Sequence, residues 1–360
     1  ILLYNSLAHI TTWLRSDLYE IHRPLYDWVV EHSQNMLPAR PRQLEFARLN
    51  MTQTVMSKRY LRQLVEGGYV RGWDDPRMPT LSALRRRGYT GAAIRDFVDR
   101  IGMSKADSVV DLALLESCVR DDLGEKSPRA MAVLKPLKVV LTNWPAGEIK
   151  EIQVENHPDH PEMGTRTIRF GRELYIEQDD FMEVPAKKYQ RMFPGNEVRL
   201  KGAYIVRCED CVKDDAGEVV EVHCTVDLDS FSGSEGANRK IKGKTLHWVS
   251  AADAIPFEAR LYEPLLSADE DLEEAEPELA EEGDTPAVPA KKDFISRLNP
   301  NSLTICRGLA EPAIRDCEVG TTFQFLRNGY FCKDPDSTPE LPVYNRTVGL
   351  RDTFAKQAKK

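Results

Sequence analysis

The sequence predicts a multidomain chain of mixed α and β structure, in which a short α/β segment and a helical region precede two antiparallel β-barrels. Two observations carry this. Before residue 127 apolar residues recur at helical spacing, whereas after Pro128 short β-rich runs alternate with Gly, Pro, Asn and Asp turns. At 360 residues the chain is also long enough for two or three separately cored domains.

Residues 1–56 form the first expected unit. Leu25, Trp28 and Val29, then Leu44, Ala47 and Leu49, are spaced as on helices, with breaks at Pro38 and Pro41. Residues 57–127 read as a small helical domain. Thr80 stands ahead of Leu81 and Leu84, Thr90 is placed to cap the following run, and Val109, Leu112, Ala113, Leu115 and Val119 make an apolar stripe. Strands are expected around 138–141, 173–176, 197–200, 204–206, 219–222 and 323–325. We expect one barrel from 128–174 with 293–360, and a second from 175–266. Residues 267–292 have almost no apolar content and are expected to be a disordered acidic insertion, after which the chain resumes at Phe294 to complete a barrel already begun.

The formal charge of −8 argues against a nucleic-acid partner only until its distribution is considered. Ten acidic and no basic residues fall between 267 and 284, so the remainder is slightly basic. Between Val55 and Lys105 eleven Lys/Arg face five Asp/Glu, and local basic surface governs phosphate affinity more than the whole-chain sum does. The plain alternative for these arginines is a solvated helix face. No apolar run approaches the roughly 18 residues of a spanning helix, and the start lacks the order of a secretion signal. A cytoplasmic protein without a membrane partner is therefore expected. Seven cysteines do not make a disulfide framework. Cys208 and Cys211 have metal-ligand spacing, and Cys224 falls opposite Cys208 if the chain turns at 214–217, but a fourth ligand is missing; no structural zinc or other metal site is expected.

The chemistry concentrates at Ser57-Lys58. A lysine is a compact cation on a flexible stem, suited to charge developing on a polyphosphate leaving group, and no Gly-rich Walker loop is present. Val55-Met56-Ser57-Lys58-Arg59, with 46–50 upstream and 72–80 (Gly-Trp-Asp-Asp-Pro-Arg-Met-Pro-Thr) downstream, resembles the Met-Ser-Lys loop of class I aminoacyl-tRNA synthetases, in the glutaminyl/glutamyl branch. Leu84-Arg85-Arg86-Arg87-Gly88-Tyr89, the 127–133 block and the 345–353 block (Asn-Arg-Thr-Val-Gly-Leu-Arg-Asp-Thr) resemble glutaminyl members of that branch. The resemblance runs from about residue 20 onward; Ile10 to Tyr19 depart from the usual pattern.

The resemblance implies the end of a class I nucleotide-binding α/β domain, a helical connecting domain and two anticodon-binding barrels. It further implies a two-step reaction in which ATP activates glutamine as an adenylate that a tRNA ribose hydroxyl then attacks. Arg48 and Leu49 would lie at the ATP site, Met56 and Ser57 would frame the nucleotide, and Lys58 would stabilise departing pyrophosphate. Mg²⁺ would come with ATP. Arg129, Arg191, Arg199, Gln324, Arg327, Arg351 and Thr353 match anticodon-contacting positions, and Lys105 falls in the segment meeting the inner corner of the tRNA. Each arginine could equally be a surface ion pair. Gln324 sits between Phe323 and Phe325, so strand alternation puts its polar head opposite the two rings; we expect it to share one base with Arg327 from one strand face. The implied partners are glutamine tRNA, ATP and L-glutamine, with no DNA, for a monomer. The family's His-Ile-Gly-His motif and acceptor-end domain are not in this sequence, so the chain is expected to be a C-terminal portion that does not aminoacylate alone. Alternatives are a glutamyl enzyme of the β-barrel type and a non-catalytic tRNA-binding module.

Overall fold

The computed structural model describes residues 12–33, 41–106, 108–266 and 294–351. The expected acidic insertion, Pro38 and Thr353 lie outside the described residues.

Strand β1 (Thr12–Ser16), helix α1 (Arg23–His32) and strand β2 (Arg42–Phe46) form a β-α-β unit with β1 and β2 parallel over five residue pairs. The helical spacing expected at Leu44, Ala47 and Leu49 is overturned. β2 is a strand that buries Gln43 and Glu45 while Leu44 is 44% exposed, and Leu49 opens β3 (Leu49–Met51). Three apolar residues fit either period, and pairing with β1 decides between them. The buried polar pair is partly satisfied: Gln43 Nε2 donates to Glu45 Oε1 at 2.8 Å and Arg23 Nη2 donates to the Gln43 carbonyl at 2.8 Å, while Gln43 Oε1 is buried without a hydrogen-bond partner among the described residues.

The helical domain follows: α2 (Lys58–Glu66), α3 (Leu81–Arg87), α4 (Gly91–Ile101), the short β4 (Ser108–Val110) paired parallel to β3, and α5 (Leu112–Lys126). Thr80 and Thr90 cap α3 and α4 as expected, accepting from the amides of Ala83 at 3.2 Å and Ala93 at 3.1 Å. Asp111 does the same for α5 through Ala113 at 2.9 Å. Ala93, Phe97, Leu115, Cys118, Val119 and Leu123 form the core between α4 and α5, and Tyr330 and Val348 from the C-terminal sheet complete it. The helices are thereby bonded to the barrel by a shared core.

Strands β5 (Arg129–Ala130), β6 (Ala132–Val133), β7 (Pro136–Leu141), β8 (Lys150–Glu155), β9 (Thr165–Phe170), β10 (Glu173–Glu177), β11 (Glu197–Leu200), β12 (Ile205–Lys213), β13 (Val219–Asp227), β14 (Thr245–Leu246), β15 (Val249–Ser250), β16 (Ile255–Tyr262), β17 (Leu303–Ala310), β18 (Thr322–Phe325), β19 (Gly329–Lys333) and β20 (Val343–Val348) form two seven-stranded sheets and the separate β8–β9 hairpin. The first sheet runs β14-β11-β12-β13-β7-β10-β15 and the second β5-β18-β19-β20-β16-β17-β6. Each has as its two edges neighbouring pieces of one segment, around His247-Trp248 and around Met131, so each sheet curls back toward itself as a barrel. The strands divide differently from the expected partition at 174/175. β7 and β10 belong with β11–β15, because β7 pairs parallel to β13 from Lys138↔Glu221 to Leu141↔Cys224. β16 belongs with the C-terminal strands, through eight antiparallel pairs with β17.

Candidate phosphate-binding loop and nucleic-acid interface

Val55 is buried among Leu61, Leu64, Val70, Met78 and Phe294, which anchors the segment leading into α2. Ser57 is the N-cap residue of α2, yet its side chain makes no capping bond, and the first turn carries no acidic residue. Instead Lys58 and Arg59 open the helix, both exposed. A cation at the positive end of a helix dipole is disfavoured by about 0.3–1 kcal/mol. Free amides, an unused hydroxyl and an exposed ammonium at one helix start are together an anion-binding arrangement. Arg48 Nε donates to Asn50 Oδ1 at 3.2 Å just upstream, and Leu49 packs against the α4–α5 core. Met56 and Ser57 are half-buried.

On the second barrel, β18 lies parallel to β5 with Gln324 beside Arg129, and Gln324 faces Tyr330 on β19. Phe323 and Phe325 are buried, so Gln324 points away from the core as alternation predicts. Arg129 Nε is buried without a hydrogen-bond partner. A planar donor beside a planar amide can address one base edge in the plane.

Arg327 does not share that face, which corrects the sequence-based pairing. It lies beyond the end of β18 in a turn, at φ 67°, and its guanidinium grips the fully buried Asp180 of the first barrel through two bonds of 2.6 Å. Arg191 Nη1 reaches the same carboxylate at 3.1 Å. Burial pulls the Arg327 pKa down, but the Asp180 carboxylate outweighs it and the net shift is upward. Arg327 Nη1 also lies 3.3 Å from His247 Nδ1, and His247 Nε2 lies 3.4 Å from Glu177 Oε1, so the imidazole stands between the two barrels' charged groups. Beside this seam is a cleft of about 290 Å³ lined by Lys201, Thr245, Leu246, His247, Leu326 and Arg327. Sequence reasoning missed Lys201 and His247 as members. Lys201 was accessible to it, two residues from Arg199, while nothing in sequence placed His247 opposite Arg327.

The remaining positions are scattered. Arg199 Nη2 donates to the Arg239 carbonyl at 3.3 Å, Arg351 is exposed beyond β20, and Lys105 lies 3.4 Å from Glu45 and 3.6 Å from Glu20. In the 345–353 block, Asn345 and Thr347 are buried and donate to the carbonyls of Arg86 at 3.1 Å and Arg87 at 2.7 Å, at the end of α3. That block joins domains as well as contributing surface. Cys208 pairs across from Cys224, both buried, and among the described residues no group of three or more His, Cys, Asp or Glu could hold a metal ion. Nor is any helix among the described residues long and apolar enough to cross a membrane.

Comparison with known families places the same architecture in one class. Residues 2–125 match tRNA synthetases class I (E and Q), catalytic domain, and residues 127–227 and 245–334 match two anti-codon binding domain descriptions of those synthetases. The chain belongs to the class I glutamyl/glutaminyl tRNA synthetase family. Among curated relatives, glutamine–tRNA ligase of Nitrobacter hamburgensis is 51% identical over 98% of this chain and 60% of its own length. That of Clostridium perfringens is 52% identical over 92% and 57%, and that of Escherichia coli O157:H7 is 48% identical over 98% and 60%. The chain thus spans about 60% of the length of the relatives it matches.

Proposed function

We propose that this chain is the loop-bearing and anticodon-reading portion of an ATP-dependent glutamine–tRNA ligase acting through a glutaminyl-adenylate. The observation that carries the proposal is the exposed Lys58 at an uncapped helix start. No side-chain nucleophile is needed, so positioning and charge stabilisation supply the acceleration. In this reading the α2 amides and Ser57 hydroxyl hold phosphate oxygens, Lys58 meets the negative charge that grows on pyrophosphate, and Arg48, Leu49 and Met56 bound the nucleotide. Mg²⁺ travels on the phosphates, which supply its oxygens. The two barrels take the anticodon of glutamine tRNA, with Arg129 and Gln324 on one base edge and Arg191, Arg199 and Arg327 around the seam; Lys105 serves the inner corner, and Arg351 and Thr353 are assigned to the tRNA from the family resemblance alone.

A charge acting on a leaving group stabilises the transition state more than the bound substrates. Lys58→Ala in the complete enzyme is therefore expected to lower adenylate formation by about two to four powers of ten with little change in tRNA affinity. Pyrophosphate exchange measures the first and filter binding the second. Near-normal exchange in the variant would defeat the assignment.

A further inference from the structure

Resting on the tRNA reading above, a further surface of the first barrel stands out. Lys240, Lys242 and Lys244 are exposed on the segment that leads into β14, and Lys187 and Lys188 are exposed on the loop before Gln190. The two segments are joined: the Lys244 amide donates to the Gln190 carbonyl at 2.8 Å. Among the described residues none of these five ammoniums forms an ion pair, and the reason is local. Glu197, on the strand this segment lies against, is taken by Arg239 at 2.7 and 3.1 Å, and Arg239 also holds Asp227 at 2.9 Å. The acids are neutralised by the arginine next to the lysines, which leaves the lysines' own charge unanswered.

The backbone beneath them is fixed. A Cβ on Gly243 would sit 1.9 Å from the Glu197 carbonyl oxygen, so only glycine lets this segment lie flat against β11. Arg199 and Lys201 amides then donate to the carbonyls of Lys244 at 3.3 Å and Leu246 at 2.8 Å, zipping the segment along the strand. A row of lysines is thus held on a rigid base that continues into the cleft at Lys201, Thr245 and His247.

We propose that Lys240, Lys242 and Lys244, with Lys187 and Lys188, form a phosphate-tracking ridge that binds the RNA backbone leading into the seam cleft. Ammoniums are point charges without the planar fork that reads bases, so the ridge adds affinity without sequence preference. Each phosphate contact releases condensed counterions, and the signature is salt dependence.

The test is a variant of the full protein carrying Lys240→Gln, Lys242→Gln and Lys244→Gln, titrated with cognate tRNA and with a tRNA altered in its anticodon over a range of salt. The slope of log affinity against log salt is expected to become shallower by about 2 to 3, at roughly 0.7–0.9 per contact. Both tRNAs should lose the same factor, and the corresponding Lys→Arg variant should keep the original slope. An unchanged slope, or a loss confined to the cognate tRNA, overturns the ridge. Should the triple variant fail to fold, Lys242→Gln alone replaces it, with one third of the change expected and an unchanged slope again decisive. Absence of tRNA binding by the unaltered protein defeats the functional reading and the ridge with it, whereas normal binding with an unaltered slope in the variant defeats the ridge alone.

Discussion

Arg327 shows how far a residue's chemistry can be read before its partners are known. Its type suited base recognition, and its place near Gln324 suggested a shared target. What sequence could not supply was Asp180, 147 positions away and fully buried. A buried carboxylate stripped of its guanidinium is left uncompensated, which commonly costs about 3–5 kcal/mol; here Arg191 remains at 3.1 Å and softens the loss. Arg327→Ala is therefore expected to destabilise the protein by about 2 kcal/mol or more in urea unfolding, and adding Asp180→Ala should restore much of it. Additive losses in the double variant would mean the two side chains are energetically independent. The caps Thr80 and Thr90 and the outward orientation of Gln324 were legible because they depend on neighbours within four positions. Arg86, Arg191 and Arg327 were not, because each is claimed by a carboxylate that only the tertiary fold brings near.

At the scale of the element, the run Arg85-Arg86-Arg87-Gly88-Tyr89 was open to reading as a solvated helix face. Only Arg85 is exposed; Arg86 enters the domain junction, Arg87 Nε donates to the Arg346 carbonyl at 3.3 Å, and Tyr89 is buried. Gly88 ends α3 in the left-handed region at φ 99°, where a Cβ would come 2.5 Å from the Cys332 Cβ. Gly88→Ala should cost about 1–2 kcal/mol for the backbone and a further 1–3 for overlap with β19. Gly68, at φ 71° with open space around it, isolates the backbone part. Equal losses at both sites would show that the α3–β19 contact yields freely. Sheet membership was the least legible feature, since the parallel pairing of β7 with β13 joins residues some 80 positions apart. The β8–β9 hairpin is not among the strands expected from sequence, because its two alternating runs, 150–155 and 165–170, are separated by a nine-residue loop rather than a short turn.

For the molecule as a whole, a charged junction adds to the shared core in holding the helical domain and second barrel together. Arg86 donates to Asp334 twice at 2.9 Å and to Asp74 at 2.8 Å, and lies 3.0 Å from Asp336; Arg260 reaches Asp336 at 2.7 Å and Asp334 at 3.4 Å, and Arg71 reaches Asp336 at 3.1 Å. This junction joins α3, which follows the Lys58-bearing α2, to the segment just after β19, the sheet neighbour of the Gln324-bearing β18. Burial raises the Asp334 pKa, but the Arg86 guanidinium and its other donors outweigh that and hold it below the usual carboxylate value. Asp75 is depressed in the same manner, against burial, by Arg77 and the Arg71 amide. A carboxyl whose folded pKa is depressed contributes stability above its unfolded value of about 4, and that contribution is lost as pH falls through the folded value. Stability is thus expected to hold from neutral pH to about 5 and to fall steeply below about 4. Asp334→Asn should lower the melting temperature at neutral pH while making its decline on acidification shallower, because one of the groups that must be protonated is gone. Melting curves collected from neutral to acid pH for both proteins decide the matter: a constant offset between them at every pH would mean that Asp334 contributes by shape and hydrogen bonding alone, and that its charge is not what holds the domains in register.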